Sequence, residues 1–213
     1  MRVTFVTLFP EMMLAAARHS VLARAEQDGR VEFCAVNPRD FATDVHRTVD
    51  DSPFGGGPGM VMKPDVMGSA IDAALPGTVI LTEPWGKPFT QKEAQRLSTH
   101  DSLILVCGHY EGIDGRVAEH YGAEVFSLGD FVLTGGEFPS LIIADACIRL
   151  LPGVLGNPES LAADSHHDGL LAGPGFTRPW DWRGLTPPEV LRSGNHATMN
   201  AHRRADSLKR TRA

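Results

Sequence analysis

The chain has 213 residues, of which 42% are hydrophobic and 22% charged, and its formal net charge is −6 at pH 7. This is the composition of a soluble globular protein with room for a sizeable core and a smaller appendage. No segment approaches the roughly 20 consecutive apolar residues that a membrane-spanning helix requires. The first residues also lack the apolar region and cleavage site of a signal peptide, so we expect a cytoplasmic protein.

Strand and helix patterns alternate from the start of the chain to residue 151. The predicted strands span residues 2–9, 31–36, 78–82, 103–107 and 123–127. The predicted helices span residues 11–27, 64–75, 91–98, 116–120 and 140–151. This alternation indicates an α/β fold with a mainly parallel sheet and helices on both of its faces.

Two connections in the first half are polar and rich in turn-forming residues. Residues 37–62 form a long connection that ends in PFGGGPGM, and long ordered loops usually carry function. Residues 83–88, with the sequence EPWGKP, are predicted as a loop at the carboxyl end of the third strand.

Two later strands each end in a glycine-marked loop. The apolar run 103–107 is typical of a strand buried on both faces, and the polar loop HYEGIDG follows it. The strand 123–127 leads into LGD and then a loop at 131–136. Open α/β folds bind ligands at the carboxyl ends of their strands. Because GxGxxG and GxxxxGK[ST] are both absent, the loops indicate either another kind of cofactor pocket or ordinary tight turns.

The predicted helix 140–151 is apolar nearly all round, so we expect one side to face the sheet and another to face a partner subunit. Pro139 suits its first position, and a capping box from Thr134 to Glu137 is discounted because it would place Pro139 inside the first turns. Arg149 either pairs with Asp145 four residues earlier or serves as a donor to a planar carbonyl or carboxylate.

The last part of the chain changes in composition. Residues 157–175 are rich in Gly, Pro, Asp, His and Ser and are predicted as a flexible interdomain linker between a first domain at 1–156 and a small, mostly helical domain at 176–213. The cluster DSHHD at 164–168 lacks the ligand spacing of known metal sites, so we predict no metal site. Residues 191–213 carry six Lys or Arg and one acid, which indicates either a phosphate-binding arm or a solvated helix end.

The three cysteines, Cys34, Cys107 and Cys147, lie far apart and each within an apolar run. Neither a disulfide framework nor a zinc knuckle has such spacing. We therefore expect reduced thiols in the core.

Four motifs in order resemble the bacterial tRNA (guanine-N1)-methyltransferases. They are DDSPFGGGPGMVMKP at 50–64, CGHYEGID at 107–114, SLGDFVLTGGEFP at 127–139 and PGVLG at 152–156. The resemblance extends from residue 1 to about residue 211 and implies an S-adenosylmethionine-dependent enzyme of the SPOUT superfamily, with a C-terminal trefoil knot in its α/β domain. Physical reasoning alone favours an unknotted sheet, because knots are rare. In the tail motif SGNHATMNAHRR, His202 replaces the usual tryptophan and the chain stops earlier than in relatives.

The resemblance also implies site residues. Methylation of guanine N1 needs a base to take the proton and a cation to stabilise charge on O6, and the implied residues are Asp164 and Arg149. Asp50 and Gly59 are implied to contact the guanine or its neighbour. The implied cofactor pocket consists of Thr82, Pro84, Gly108, Tyr110, Glu111, Leu128, Gly129, Asp130, Phe131, Val132, Leu133, Gly135 and Gly136.

The implied substrate is a tRNA whose guanosine lies 3′ of the anticodon and follows another guanosine, and the implied assembly is a homodimer with a shared active site. RNA bases are read best when they leave the stack, as in an anticodon loop. Two alternatives stay open: a ribose 2′-O-methyltransferase of the same superfamily, which needs no base at Asp164, and a non-catalytic RNA-binding protein.

Overall fold

A parallel sheet forms the centre of the first part of the chain in this computed structural model, which describes residues 1–157, 161 and 164–212. In the described residues the sheet has five strands in the order β2-β1-β6-β5-β7, and neighbouring strands are parallel throughout. The strands are β1 (Arg2–Val6), β2 (Glu32–Val36), β5 (Thr78–Pro88), β6 (Ser102–Val106) and β7 (Glu124–Ser127), while β3 (Asp50–Asp51) and β4 (Val61–Met62) form a separate antiparallel pair.

Helices cover both faces of this sheet, as predicted. The helices of this part are α1 (Pro10–Ala17), α2 (Ser20–Gln27), α3 (Pro64–Ala74), α4 (Gln91–Leu97), α5 (Gly115–Tyr121) and α6 (Glu137–Ile148). Phe5 and Leu105 are fully buried in a core that includes side chains of α1, α2, α4 and α6. Val6 and Ile104 are buried in a second core with side chains of α3 and α5. Alternate residues of the central strands therefore face two helical layers, which explains their continuous apolar sequence.

The N-terminal strand and helix differ from the prediction. β1 ends at Val6, and Pro10 is the first residue of α1 instead of only the residue that ends the strand. The predicted helix 11–27 is two helices, because Ser20 has a φ of 52° that a continuous right-handed helix does not allow. Composition alone did not reveal this break, since the residues around it are acceptable in a helix.

The predicted loop 83–88 is wrong, because these residues belong to β5. Phe126 of β7 pairs with Thr82 before the irregularity and with Lys87 after it, so the residues between them form a bulge. A Cβ at Gly86 would lie 2.6 Å from the backbone carbonyl carbon of Phe126, and only glycine permits this approach. Pro84 and Gly86 were taken as turn formers, whereas the fold uses them inside a bulged strand.

The long connection 37–62 contains more structure than predicted. A 3-10 turn spans Pro38–Phe41, and Asp50 pairs with Met62 in the β3–β4 ladder. The backbone N–H of Lys63 also donates to the carbonyl of Val49 at 2.8 Å. This pairing closes residues 51–61 into a defined loop.

The predicted start and end of the last apolar helix are also wrong by about one turn. α6 begins at Glu137, has Gly136 as its N-cap and contains Pro139 in its first turn, where a missing N–H leaves no helical bond unmade. It ends at Ile148, and Arg149 is the C-cap residue. No helix in the described residues is long and apolar enough to cross a membrane.

The chain divides into two compact units, Met1–Leu155 and Gly156–Ala213. In the second unit, residues 164–175, which were predicted as linker, contact the helix α7 (His196–Arg212). The N–H of Leu171 donates to Oγ1 of Thr211 at 2.9 Å, and Arg204 pairs with Asp168 at 2.7 Å. The predicted linker residues 158–160 and 162–163 and the terminal residue 213 lie outside the described residues. Between residues 176 and 195 only Glu189–Arg192 is helical, as a 3-10 turn.

All three cysteines are free thiols, as expected. Cys107 and Cys147 are buried, and burial raises the pKa of each, that of Cys147 to about 12. Cys34 is only partly buried, so the prediction that it is a core residue is too strong.

The hydroxyl of Tyr121 joins α5 to α3. It lies 2.7 Å from Oδ1 of Asp72 and 2.9 Å from the carbonyl oxygen of Gly68, and burial followed by the bond to Asp72 raises the pKa of Tyr121 to about 12. Because the pKa of Tyr121 is higher in the folded than in the unfolded protein, its protonated hydroxyl stabilises the fold. This contribution to the free energy of unfolding is complete below the unfolded pKa of about 10 and is lost as the pH rises through the folded pKa.

We expect Tyr121→Phe to lower the free energy of unfolding by about 1 kcal/mol near neutral pH. The gap between variant and wild type should shrink as the pH approaches the folded pKa of about 12, because the wild-type hydroxyl then loses its proton. Urea denaturation of both proteins at neutral and alkaline pH measures this change. A gap that does not depend on pH would contradict the assigned hydrogen bond.

Candidate functional site

A cleft of about 200 Å³ opens at the carboxyl ends of β6 and β7, beside the bulge of β5. Twelve of the thirteen residues predicted for the cofactor pocket line it, namely Thr82, Pro84, Gly108, Tyr110, Glu111, Leu128, Gly129, Phe131, Val132, Leu133, Gly135 and Gly136. Asp130 is not among the lining residues. The structure thus brings two glycine loops and one bulged strand together at the sheet edge where parallel strands bind ligands.

The loop after β6 is held against the glycine loop that ends at Met62. The N–H of Glu111 donates to the carbonyl of Met60 at 2.9 Å, and the N–H of Met62 donates to the carbonyl of Gly112 at 3.0 Å. Gly59 lies so close to Glu111 that a Cβ there would overlap with the glutamate side chain. The predicted substrate residue Gly59 therefore borders the cleft, whereas Asp50 lies earlier in the chain, in β3, and does not line the cleft.

A buried polar chain that sequence reasoning missed lies behind the cleft. The carboxylate of Glu137, which is 4% exposed, accepts hydrogen bonds from Oγ1 of Thr7 and from Nε2 of His109, each at 2.8 Å. Its position in the first turn of α6 also places the negative charge at a favourable helix end. These contacts connect the loops after β1 and β6 to α6, and His109 itself lines the cleft. The residues are up to 130 positions apart, so no local pattern indicated them.

Glu83 is a second residue that the prediction missed. It lies in the bulge between the two predicted residues Thr82 and Pro84 and lines the cleft. Burial of its carboxylate raises the pKa of Glu83, and the nearby backbone N–H of Ile113 only partly opposes this effect. The prediction of a simple loop at 83–88 concealed this position.

Among the described residues that line the cleft, one fully buried side-chain oxygen lacks a protein partner. Oγ1 of Thr82 is buried and makes no hydrogen bond to any residue that the structure describes. Buried hydroxyls are nearly always satisfied by protein, water or ligand. The cleft therefore suits a ligand that has both polar groups and flat apolar surface, since its walls include Leu128, Phe131 and Leu133.

The two predicted catalytic residues belong to different compact units. Arg149 is the partly buried C-cap residue of α6, and its N–H donates to the carbonyl of Asp145 at 3.1 Å. Asp164 is partly buried in the second unit, where its N–H donates to the carbonyl of Leu161 at 3.3 Å. Among the described residues no three His, Cys, Asp or Glu side chains are grouped to hold a metal ion.

Close backbone packing at Gly136 gives a test of the cleft's architecture. A Cβ at this position would lie 2.8 Å from Cα of Cys107 and 2.8 Å from the backbone nitrogen of Gly108, and backbone atoms do not move aside easily. We expect Gly136→Ala to lower the free energy of unfolding by about 1–3 kcal/mol, as overpacking does.

Gly115→Ala is the matched control, because a Cβ there has no neighbour within 4 Å and the residue begins α5. We expect it to be neutral or slightly stabilising, since alanine favours helix. Urea denaturation of both variants measures the difference. Equal stabilities would show that the strands and loops adjust more freely than the packing indicates.

Comparison with known proteins agrees with the motifs. The sequence model of the family described as tRNA (Guanine-1)-methyltransferase TrmD matches residues 1–213. A tRNA (guanine-N(1)-)-methyltransferase of Dehalococcoides mccartyi (strain CBDB1) is 48% identical over 99% of this chain and 87% of its own length. Proteins of the same name from Bacillus subtilis (strain 168) and Staphylococcus aureus (strain MRSA252) are 47% and 46% identical, again over 99% of this chain, and 89% and 87% of their own lengths are covered. The chain therefore belongs to the tRNA (guanine-N1)-methyltransferase family.

Proposed function

We propose that the protein transfers a methyl group from S-adenosylmethionine to N1 of the guanosine 3′ of the anticodon, position 37 of a tRNA. The observation that carries this proposal is the meeting of two motif-bearing loops and the bulge of β5 in one cleft at the carboxyl ends of the strands, in a chain of this family. The trefoil knot of the superfamily, the separate helical domain and a cytoplasmic location belong to the same proposal.

The cleft fits S-adenosylmethionine in its chemistry. The glycine loops let a flat adenine approach the backbone closely, Leu128 and Leu133 supply apolar walls, and the unpartnered hydroxyl of Thr82 offers a polar contact. When bound, the cofactor would supply an electrophilic methyl group. The loops at 108–112 and 128–136 would orient it and exclude water from it.

Two residues would act on the guanine, one on the proton at N1 and the other on the negative charge that develops at O6. Asp164 would accept the proton from N1, and Arg149 would donate hydrogen bonds to O6, where negative charge develops. Asp50 and Gly59 would contact the guanosine or its neighbour. The close approach of Gly59 to Glu111, which lines the cleft, supports this role for Gly59.

The second unit would bind the tRNA. Its cations are partly neutralised, because Arg204 pairs with Asp168 and Arg210 pairs with Asp206, each at 2.7 Å. Arg192 stacks on Trp180 at 5.0 Å, an arrangement that offers both a charge and a π face. A tRNA backbone can be held by such groups despite the negative net charge of the whole chain.

Exposed apolar residues around α6 support a homodimer with a shared active site. Phe138 and Ile142 follow one another at one-turn spacing on α6 and are 60% and 51% exposed. Phe131 and Val132 extend this surface into the loop before α6, and they are also exposed. Packing of this exposed apolar surface against its copy about a twofold axis would bury it and would place the cleft of one subunit next to the other.

Product analysis tests the proposed function. The protein is incubated with tRNA and S-adenosylmethionine, and the digested nucleosides are separated. We expect 1-methylguanosine from the position 3′ of the anticodon. A 2′-O-methyl nucleoside would show a ribose methyltransferase instead, and no methylated product would favour a non-catalytic RNA-binding protein.

We expect S-adenosylmethionine and S-adenosylhomocysteine to bind without added metal. A ligand that binds only the native state stabilises it by about 2.7 kcal/mol at one hundred times its Kd, so the melting temperature should rise. Calorimetry with a chelator present, together with a melting curve, measures both effects. A failure to bind at millimolar ligand would contradict the cofactor assignment.

A further inference from the structure

The carboxylate of Glu83 occupies a defined place in the cleft. Oε1 lies 3.2 Å from the position that a Cβ on Gly112 would take and 3.7 Å from that of a Cβ on Gly108. The backbone N–H of Ile113, in the same loop, lies near the carboxylate and partly opposes the rise that burial causes in the pKa of Glu83. The absence of a side chain at Gly112 therefore makes room for the glutamate beside the loop after β6.

In the part of the chain that the structure describes, the backbone N–H of Ile113 is the one donor that influences the carboxylate, so most of the acceptor capacity of this group is unused. An ionised carboxylate has two oxygens and about four lone-pair positions. Among the described residues Glu83 has no salt bridge, and burial raises its pKa, so desolvation is not offset by a protein cation. A group with these properties at the edge of a ligand cleft is suited to receive hydrogen-bond donors from the ligand.

We propose that Glu83 binds the ribose hydroxyls of the adenosine part of the methyl donor. The inference rests on the proposed function, because it assumes a nucleoside ligand in the cleft. Vicinal hydroxyls offer two donors to one carboxylate, and an acidic residue near the carboxyl end of a parallel strand binds the ribose in dinucleotide folds for the same reason. The bulge in β5 directs the chain so that Glu83, between Thr82 and Pro84, lines the cleft.

The charge of the ligand separates this role from a contact to the sulfonium. S-Adenosylmethionine carries a positive sulfur and S-adenosylhomocysteine does not, whereas both carry the ribose. A carboxylate that binds the ribose contributes similarly to both affinities. A carboxylate that faces the sulfur contributes mainly to the affinity for S-adenosylmethionine, since Coulomb attraction is strong in a partly buried site.

The experiment is isothermal titration calorimetry on the full chain with four ligands: S-adenosylmethionine, S-adenosylhomocysteine, and the 2′-deoxy and 3′-deoxy forms of S-adenosylhomocysteine. The proteins are wild type, Glu83→Ala, Glu83→Gln and the control Glu119→Gln, which alters an exposed glutamate of α5 outside the cleft. Thermal melting of each variant verifies that it is folded.

We expect Glu83→Ala to weaken both parent ligands by about ten-fold or more, the range for a hydrogen bond to a charged group. Glu83→Gln keeps one acceptor oxygen and should lose less, and Glu119→Gln should bind as wild type does. At least one deoxy ligand should bind wild type more weakly than its parent, and this penalty should disappear in Glu83→Ala because the partner of the missing hydroxyl is gone.

Three results would overturn the proposal. The first is an unchanged affinity for S-adenosylhomocysteine in Glu83→Ala and Glu83→Gln. The second is a loss confined to S-adenosylmethionine, which would assign Glu83 to the sulfonium. The third is a deoxy penalty that is equal in wild type and Glu83→Ala. If wild type itself binds no ligand, the proposed cofactor is wrong and the inference fails with it, a result distinct from the other three.

Discussion

Asp164→Ala is expected to reduce the single-turnover rate of methyl transfer by roughly 10²–10⁴-fold, the usual contribution of a general base. The affinity for S-adenosylmethionine should stay within about two-fold of wild type, because Asp164 does not line the cleft and lies in the other compact unit. Arg149→Ala should behave in the same way, since it too lies outside the cofactor cleft and would act on charge that develops in the transition state.

The measurement combines single-turnover kinetics on a tRNA substrate with calorimetry of the cofactor. Asp101→Ala is the control, because this exposed aspartate precedes β6 at the opposite end of the strand from the cleft. It should retain the wild-type rate. If Asp164→Ala also retained the wild-type rate, Asp164 would not be the base, and the proton would have to go to another group.

A heterodimer of two inactive variants is expected to recover up to about half of the wild-type activity if the active site is shared, because one of its two sites is then intact. One variant is Gly129→Trp, which fills the cleft at a glycine whose φ is +147° and whose Cβ would lie 2.8 Å from the ring of Phe131. The other is Asp164→Ala. Each should be inactive as a homodimer, since every site then carries one lesion.

Co-expression with two different tags and tandem purification isolates the mixed dimer. Both lesions fall in one of its sites and neither in the other, provided that the cleft of one subunit uses Asp164 of its partner. Melting curves verify that the mixed dimer is folded. Background activity in a folded heterodimer would contradict the shared site and would mean that each site is built within one chain or that both sites must be intact.

The alternation of apolar runs and helical segments was sufficient to predict the α/β architecture. An uninterrupted apolar run such as Leu103 to Val106 predicts a strand that is buried on both faces of a sheet. The structure confirms this burial and the parallel sheet. The same pattern predicted a pocket or ordinary turns at the ends of β6 and β7. The individual pocket residues came from the family resemblance, not from periodicity.

Errors arose where a residue's local preference and its tertiary use differ. Pro84 and Gly86 favour turns, yet pairing with β7 retains them in a bulged strand. The residues around Ser20 are acceptable in one long helix, yet the chain turns there and forms two. Tertiary packing overrides such preferences because each is worth only a fraction of the free energy of burying a side chain.

The sequence by itself determined the order of the elements, the edge of the sheet at which the glycine loops lie, and the family. Only the tertiary structure decided that Glu137 joins Thr7 to His109 and that Glu83 lies in the cleft beside Gly112. The physical reason is distance along the chain. A buried carboxylate is stable only where donors from other strands converge on it, and residues 130 positions apart leave no common pattern in the sequence.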